Sequence, residues 1–399
     1  MPRPLRVSNG TLRPGQEAVI PMSTEARDTL RDWIALSLVA GVGRRTAAVM
    51  IERFGGPRCC FEAGRAELER HGFKRECIEA LKDGNQQERA GAELDGLEKL
   101  GAVVITFVDP RYPKLLKEIY DPPIVLYCLG DLSRAAGQPA VAIVGSRRCS
   151  TYGKGASEML SRELARRGVA IVSGLARGID SAAHRGALDG GGATIAVMGT
   201  GLDTVYPKEN RKLAEQIAAR GALLTEFPLN TPPLSQNFPF RNRVISGIAL
   251  GVMIVEGAER SGSLITARMA YEQGRDVFAV PGNITSSKSF GPNYLIKDGA
   301  KLVQTWQDVV EEFPPEHKSR ILALEKSDSP ADQPLLEEAL LTDSERKVLA
   351  LIKTDQSIHI DQLIHTTRLK SSELMGALLK LEMLDKIRQL PGKSFVRRL

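Results

Sequence analysis

Six short runs of β-forming apolar residues recur between residues 141 and 280, separated by stretches with helical periodicity. No other feature restricts the fold as tightly. The runs are Val141–Val144, Val169–Val172, Ala193–Met198, Ala222–Glu226, Gly251–Val255 and Asp276–Val280. Helices are expected between them at Lys154–Arg167, Ile179–Leu188, Glu209–Ala219, from Arg243 to Ala249, and at Leu264–Glu272. Strands joined by helical crossovers pair in parallel, and continuous apolar runs belong to strands covered on both faces. The expected class is therefore α/β with a Rossmann-like parallel sheet as its core. Residues 101–132 add a strand, a turn, a short helix near Leu115-Leu116 and a second strand ahead of it. Ligands of such sheets bind beyond the carboxyl ends of the strands, so the six loops there are expected to carry the function.

The familiar nucleotide fingerprints are missing from those loops. A dinucleotide turn needs G-x-G-x-x-G, but Gly145 is followed by Ser146 and Arg147. "TYGKG" falls short of a P-loop, because Arg148 stands at its first glycine and Gly155 at its Ser/Thr. There is no G-x-S-x-G nucleophile elbow. Asp180, Ser181 and His184 crowd one helix start, where Asp180 reads as an N-cap in preference to part of a triad. Asp180, Asp203, Glu226 and Glu256 have no metal-ligand spacing, and neither a metal nor a cofactor is expected. What the loops share is a cationic, glycine-rich rim. Arg147, Arg177, Lys208, Arg241, Arg243 and Lys297 all fall on them, and Gly145, Gly174, Gly178 and Gly199 permit close backbone approach. Ser146 and the helix starts offer N–H donors to a phosphate. Phe238 and Phe240 flank Pro239 beside the arginines, and each is either a stacking platform for bases or a packed lid.

The flanks read differently. Residues 1–23 form a polar tail, and residues 24–100 a helical domain in which Gly41-Val42-Gly43 joins two helices as in a helix-hairpin-helix. Such a turn either presents N–H groups to a phosphate or merely reverses the chain. The parallel-sheet domain spans 101–315. A charged, proline-containing linker is expected at 316–341, and a winged-helix-like domain at 342–399, opening on a Thr342–Glu345 capping box. The candidate recognition helix, "SSELMGALLKLEML", has Lys380 as its sole basic residue, which favours a protein contact over groove reading. A net charge of +6 over 399 residues permits an anionic partner. Five cysteines without a C-x-x-C pair fit a reducing cytoplasm, and no apolar run of membrane-spanning length occurs.

Taken together, "IVGSR", "SGLARGIDSAAH", "GTGLDTVYPKEN", "NFPFRNRVISG", "VEGAERSGSLITA", "GRDVFAVPG" and "LIKDGA" resemble the DNA-processing protein A family (DprA/Smf) across residues 105–305. The resemblance implies a non-enzymatic homodimer that binds single-stranded DNA cooperatively, protects it and helps load RecA recombinase during natural transformation. It implies a DNA pocket of Gly145, Ser146, Arg147, Gly174, Lys208, Phe240, Arg241 and Arg243, to which the loop positions add Arg177 and Lys297. The N-terminal helices are similar to sterile-alpha-motif-like modules. An alternative is a nucleotide-processing enzyme resembling the phosphoribohydrolases. Their P-G-G-x-G-T-x-x-E loop has only Ser261-Gly262-Ser263-Leu264-Ile265-Thr266 as its counterpart, without the glycine run and the acid.

Overall fold

The computed structural model describes residues 23–135, 137–327, 341–354, 356–384 and 386–397. The expected tail up to residue 22, and residues 328–340 of the expected linker, lie outside the described residues.

All six anticipated strands form. They are β3 (Ala140–Val144), β4 (Ala170–Ser173), β5 (Thr194–Val197), β6 (Ala222–Thr225), β7 (Gly251–Ile254) and β8 (Asp276–Ala279). The preceding segment supplies β1 (Val103–Thr106) and β2 (Val125–Gly130), and a two-residue β9 (Lys301–Leu302) closes the far edge. The nine strands lie in the order β1-β2-β6-β5-β4-β3-β7-β8-β9. Pairing is parallel from β6 to β9, whereas β2 runs antiparallel to both β1 and β6.

Alternate residues of each strand enter different cores, as the two-residue period of a pleated strand requires. Val141 and Ile143 pack with the helices Thr151–Arg166 and Ile179–Asp189. Ala142 and Val144 pack with the opposite layer, which includes Val244, Ile245 and Ala267 from the helices Asn237–Ile248 and Gly262–Glu272. Burial on both faces explains why these strands read as unbroken apolar runs. The connection leaving β3 thus covers one face and the connection leaving β7 the other, which puts the topological switch point between these two paired strands.

The N-terminal helices do not have a core to themselves. Trp33, Ile34, Leu94 and Leu97 share one cluster with Tyr127, Met198, Ile217 and Leu223 of the sheet and its cover. The Gly41-Val42-Gly43 turn joins the helices Thr24–Ser37 and Arg44–Phe54 and rests on Cys77, whose thiol donates to Gly41 O at 2.8 Å. At the other end, residues 316–327 of the expected linker belong to the helix Pro315–Ser327, where Ile321 is fully buried against the sheet's cover. Among the described residues, the last segment forms a three-stranded sheet with three helices around Leu349, Leu363, Leu378 and Phe395. Its capping box is present: Thr342 N–H donates to Glu345 Oε2 at 2.8 Å, and Glu345 N–H to Thr342 Oγ1 at 3.3 Å. The helix Ser371–Met383 exposes Met375 and Leu379, while Lys380 pairs with Glu345 at 3.0 Å.

Candidate nucleic-acid interface

The loop after β3 is pinned from below. Ser146 N–H donates to Glu256 O at 2.8 Å, and Ser146 O accepts from Ile179 N–H at 3.2 Å. Ser150 caps the next helix by accepting from Gly153 N–H at 3.0 Å. These bonds fix the turn and leave Arg147 exposed at its tip. The Arg147 guanidinium lies 5.2 Å from the centre of the Phe238 ring, within cation–π range. No carboxylate pairs with Arg147 among the described residues.

The loop after β4 is more tightly held. Leu175 adopts φ +58°, a left-handed conformation that costs a branched side chain about 1–2 kcal/mol. Several bonds offset this strain. Asp180 Oδ2 accepts from Gly174 N–H at 3.1 Å and Ala176 N–H at 3.3 Å. Asn210 Nδ2 donates to Leu175 O at 2.8 Å. Arg241 Nη1 donates to Gly174 O at 2.6 Å and also to Val197 O, which ties the ends of β4 and β5 together. Burial pushes Arg241 down to about 10, opposed by the Asp180 charge, so the guanidinium stays protonated at neutral pH. Burial pushes the Asp180 carboxyl upward against the Arg241 charge and the two N–H donors.

No triad forms here. Asp180 is spent on the loop, where the helix N-cap is Gly178, and Ser181 Oγ donates to Ala176 O at 2.6 Å. Thr194 Oγ1 donates to Ile171 O and therefore accepts from His184 Nδ1–H, at 2.7 Å. Burial, with the Arg241 and Arg185 charges, pushes His184 down to about 3.

The loops after β5 and β6 supply the outward surface. Lys208 opens the short turn Lys208–Asn210, is exposed, and has no carboxylate partner among the described residues. Tyr206 is 41% exposed and its ring centre lies 5.8 Å from that of Phe238. Phe240 is 49% exposed on the first turn of the Asn237–Ile248 helix. Two exposed cations and three aromatic rings thus face one edge of the sheet.

Comparison with known proteins places this arrangement. The family model for DNA recombination-mediator protein A matches residues 103–314, and that for the DprA winged helix domain matches 329–393. The chain belongs to the DNA recombination-mediator protein A family. It is 34% identical over 391 residues to protein Smf of Synechocystis sp., which covers 92% of this chain and 98% of that protein. It is 45% identical over 214 residues to the DNA processing protein DprA of Bacillus subtilis, covering 54% of this chain and 72% of that protein. The crystal structure of DprA from Streptococcus pneumoniae superposes with a TM-score of 0.62 at 38% identity, over 71% of this chain and 98% of that one.

Against the set expected for a DprA/Smf chain, the structure gathers Arg147, Lys208 and Phe240 and redistributes the rest. Arg241 is 4% exposed and committed to two carbonyls, so it shapes the pocket and does not line it. Arg243 points through the other side of its helix, 5% exposed, pairing with Glu226 at 2.5 Å and Asp121 at 3.1 Å. At about 100° of rotation per residue, helix positions two apart point to nearly opposite sides, which the linear string "RNR" conceals. Arg177 is exposed but forked onto Glu209, with Nη2 to Oε2 at 2.7 Å. Lys297 ends the Phe290–Lys297 helix, which packs on β8. In the sheet β8 stands four strand steps from β5, about 19 Å at about 4.8 Å per step.

The glycines clear space for the protein's own atoms, contrary to the expected approach of a ligand. A Cβ on Gly174 would lie 2.3 Å from the Arg241 guanidinium, and one on Gly145 would lie 2.7 Å from Ile179 and 2.8 Å from Glu256 O. Ser146 likewise has its N–H engaged, which leaves its hydroxyl proton as the outward donor. Tyr206 and Asn210 were not anticipated. Tyr206-Pro207-Lys208 sets an aromatic, a proline and a cation in the same order as Phe238-Pro239-Phe240-Arg241, which was the available signal. Asn210 had none, since its role exists only once β4 and β5 lie side by side.

Proposed function

We propose that the protein binds single-stranded DNA without sequence preference, protects it, and helps place RecA recombinase on it during natural transformation. The observation that carries this reading is the edge formed by Arg147, Lys208, Tyr206, Phe238 and Phe240. Guanidinium and ammonium groups hold phosphates regardless of sequence. Exposed rings stack on bases that only an unpaired strand offers. The names of its relatives, DNA processing protein DprA among them, support a role on DNA. Five free cysteines, and the lack among the described residues of a helix long and apolar enough to cross a membrane, accord with action in the cytoplasm.

Self-association belongs to the same reading. Tyr271 is 80% and Ile284 92% exposed, and the Phe290 and Tyr294 rings stack at 6.3 Å on the same flank. This apolar surface lies on the β7–β8 side, away from the cationic edge, so a homodimer would present two strand-binding edges at once.

The decisive experiment titrates single- and double-stranded oligonucleotides of equal length at two salt concentrations. Strand-selective binding that weakens with salt supports the proposal, and equal affinity for duplex rejects it. RecA filament assembly on the bound strand, with and without the protein, tests the loading role. The phosphoribohydrolase alternative requires release of base from AMP. The buried Asp180, His184 and Glu256 are all engaged by protein groups, so no reaction is expected.

A further inference from the structure

Glu256 lies two residues past the end of β7 and is 3% exposed. Its carboxylate faces the N-terminus of the Thr151–Arg166 helix. Oε2 accepts from Ser150 N–H at 2.8 Å, and Oε1 accepts from the Ser150 hydroxyl. That hydroxyl oxygen in turn caps Gly153 N–H at 3.0 Å. A Cβ on Gly153 would lie 2.3 Å from Glu256 Cδ, so the carboxylate fills the space before the first turn. The location is the crevice between β3 and β7, where the crossovers diverge. A doubly wound sheet ordinarily receives the phosphate of a nucleotide there, against the N–H groups and positive end of the first helix.

We propose that Glu256 is a built-in anion that occupies this phosphate position, and so determines specificity by closing the switch point to free nucleotides and inorganic phosphate. The helix terminus receives its negative charge from within the chain. A second anion placed beside a buried carboxylate meets both like charge and filled space. Ligand phosphates are thereby left to Arg147, whose guanidinium leans from the β3 loop toward Phe238, and to Lys208 after β5. The inference builds on the single-strand reading, and explains how a sheet of nucleotide-binding type serves a polymer instead.

The test titrates inorganic phosphate, and separately AMP, into the full-length protein while the amide resonances of Ser150 and Gly153 are followed by NMR. In the wild type these resonances should not move. In Glu256→Ser, which vacates the space, they should shift saturably with either anion at about millimolar concentration. In Glu256→Gln, which keeps the shape, they should stay still. Saturable shifts in the wild type would overturn the proposal, as would a folded Glu256→Ser protein that binds neither anion. Should Glu256→Ser not fold, the wild-type titration still decides, because occupation of that terminus by phosphate contradicts the assignment directly. Single-strand affinity measured on the same samples separates the two ideas. Loss of strand binding with silent Ser150 and Gly153 amides rejects the strand reading alone.

Discussion

Arg147 and Arg241 stand near one aromatic ring, yet the structure assigns them opposite work, and replacing each with methionine separates the two roles. Arg241→Met removes the donors to Gly174 O and Val197 O. A buried acceptor left unpaired costs about 1–3 kcal/mol. Asp180, buried nearby, also loses a positive charge that favours its ionised form. With two such acceptors, the expected loss is about 2–6 kcal/mol of unfolding free energy. Arg147→Met removes an exposed group that makes a ring contact only, and should stay within about 0.5 kcal/mol of wild type. Urea unfolding followed by the fluorescence of buried Trp33 and Trp306 reads both variants without interference from the C-terminal module. Binding to a single-stranded oligonucleotide across a salt series gives the second axis. Loss of one phosphate contact flattens the slope of log K against log salt by about 0.7 for single strands. Arg147→Met should show that change, and Arg241→Met, where folded, should not. The assignment is refuted if Arg241→Met is as stable as wild type, or if it flattens the slope as Arg147→Met does.

Other consequences follow from the same geometry. Tyr206→Ala and Phe240→Ala should each weaken single-strand binding by about 1–3 kcal/mol, the worth of one base stack, with the salt slope unchanged in fluorescence-anisotropy titrations. Lys297→Ala should bind within about twofold of wild type, since a rim charge remote from the edge adds little. His184, held neutral at about 3 against an unfolded value near 6.5, adds stability that is complete above pH 6.5 and is lost as pH falls toward 3. Replacing it with asparagine should flatten the decline of unfolding free energy over that window by up to about 1.4 kcal/mol per pH unit.

Much of the fold was legible because the strands carry their own signature. Burial on both faces writes Val141–Val144 and Gly251–Ile254 as apolar runs, and glycines and prolines mark where each run stops. The Thr342–Glu345 cap was equally readable, since its two partners lie three residues apart. Helix starts were less so. The Asn237–Ile248 helix begins six residues before the expected Arg243, because the run through Pro239 reads as loop although a first turn tolerates proline.

The candidate site divides along the same line. Residue types and order established that cations, aromatics and glycines collect at the strand ends of one parallel sheet, because hydrophobic periodicity is a local property of the chain. Which of those cations face outward was decided by the tertiary structure alone. Arg147 and Lys208 are left exposed, Arg241 and Arg243 are drawn inward by carbonyls and carboxylates far away in sequence, and Glu256 reaches across the sheet to fill the helix terminus. Pairing of buried charge depends on which strands become neighbours, and the order of β3, β7, β4 and β5 in the sheet is not written in any one segment.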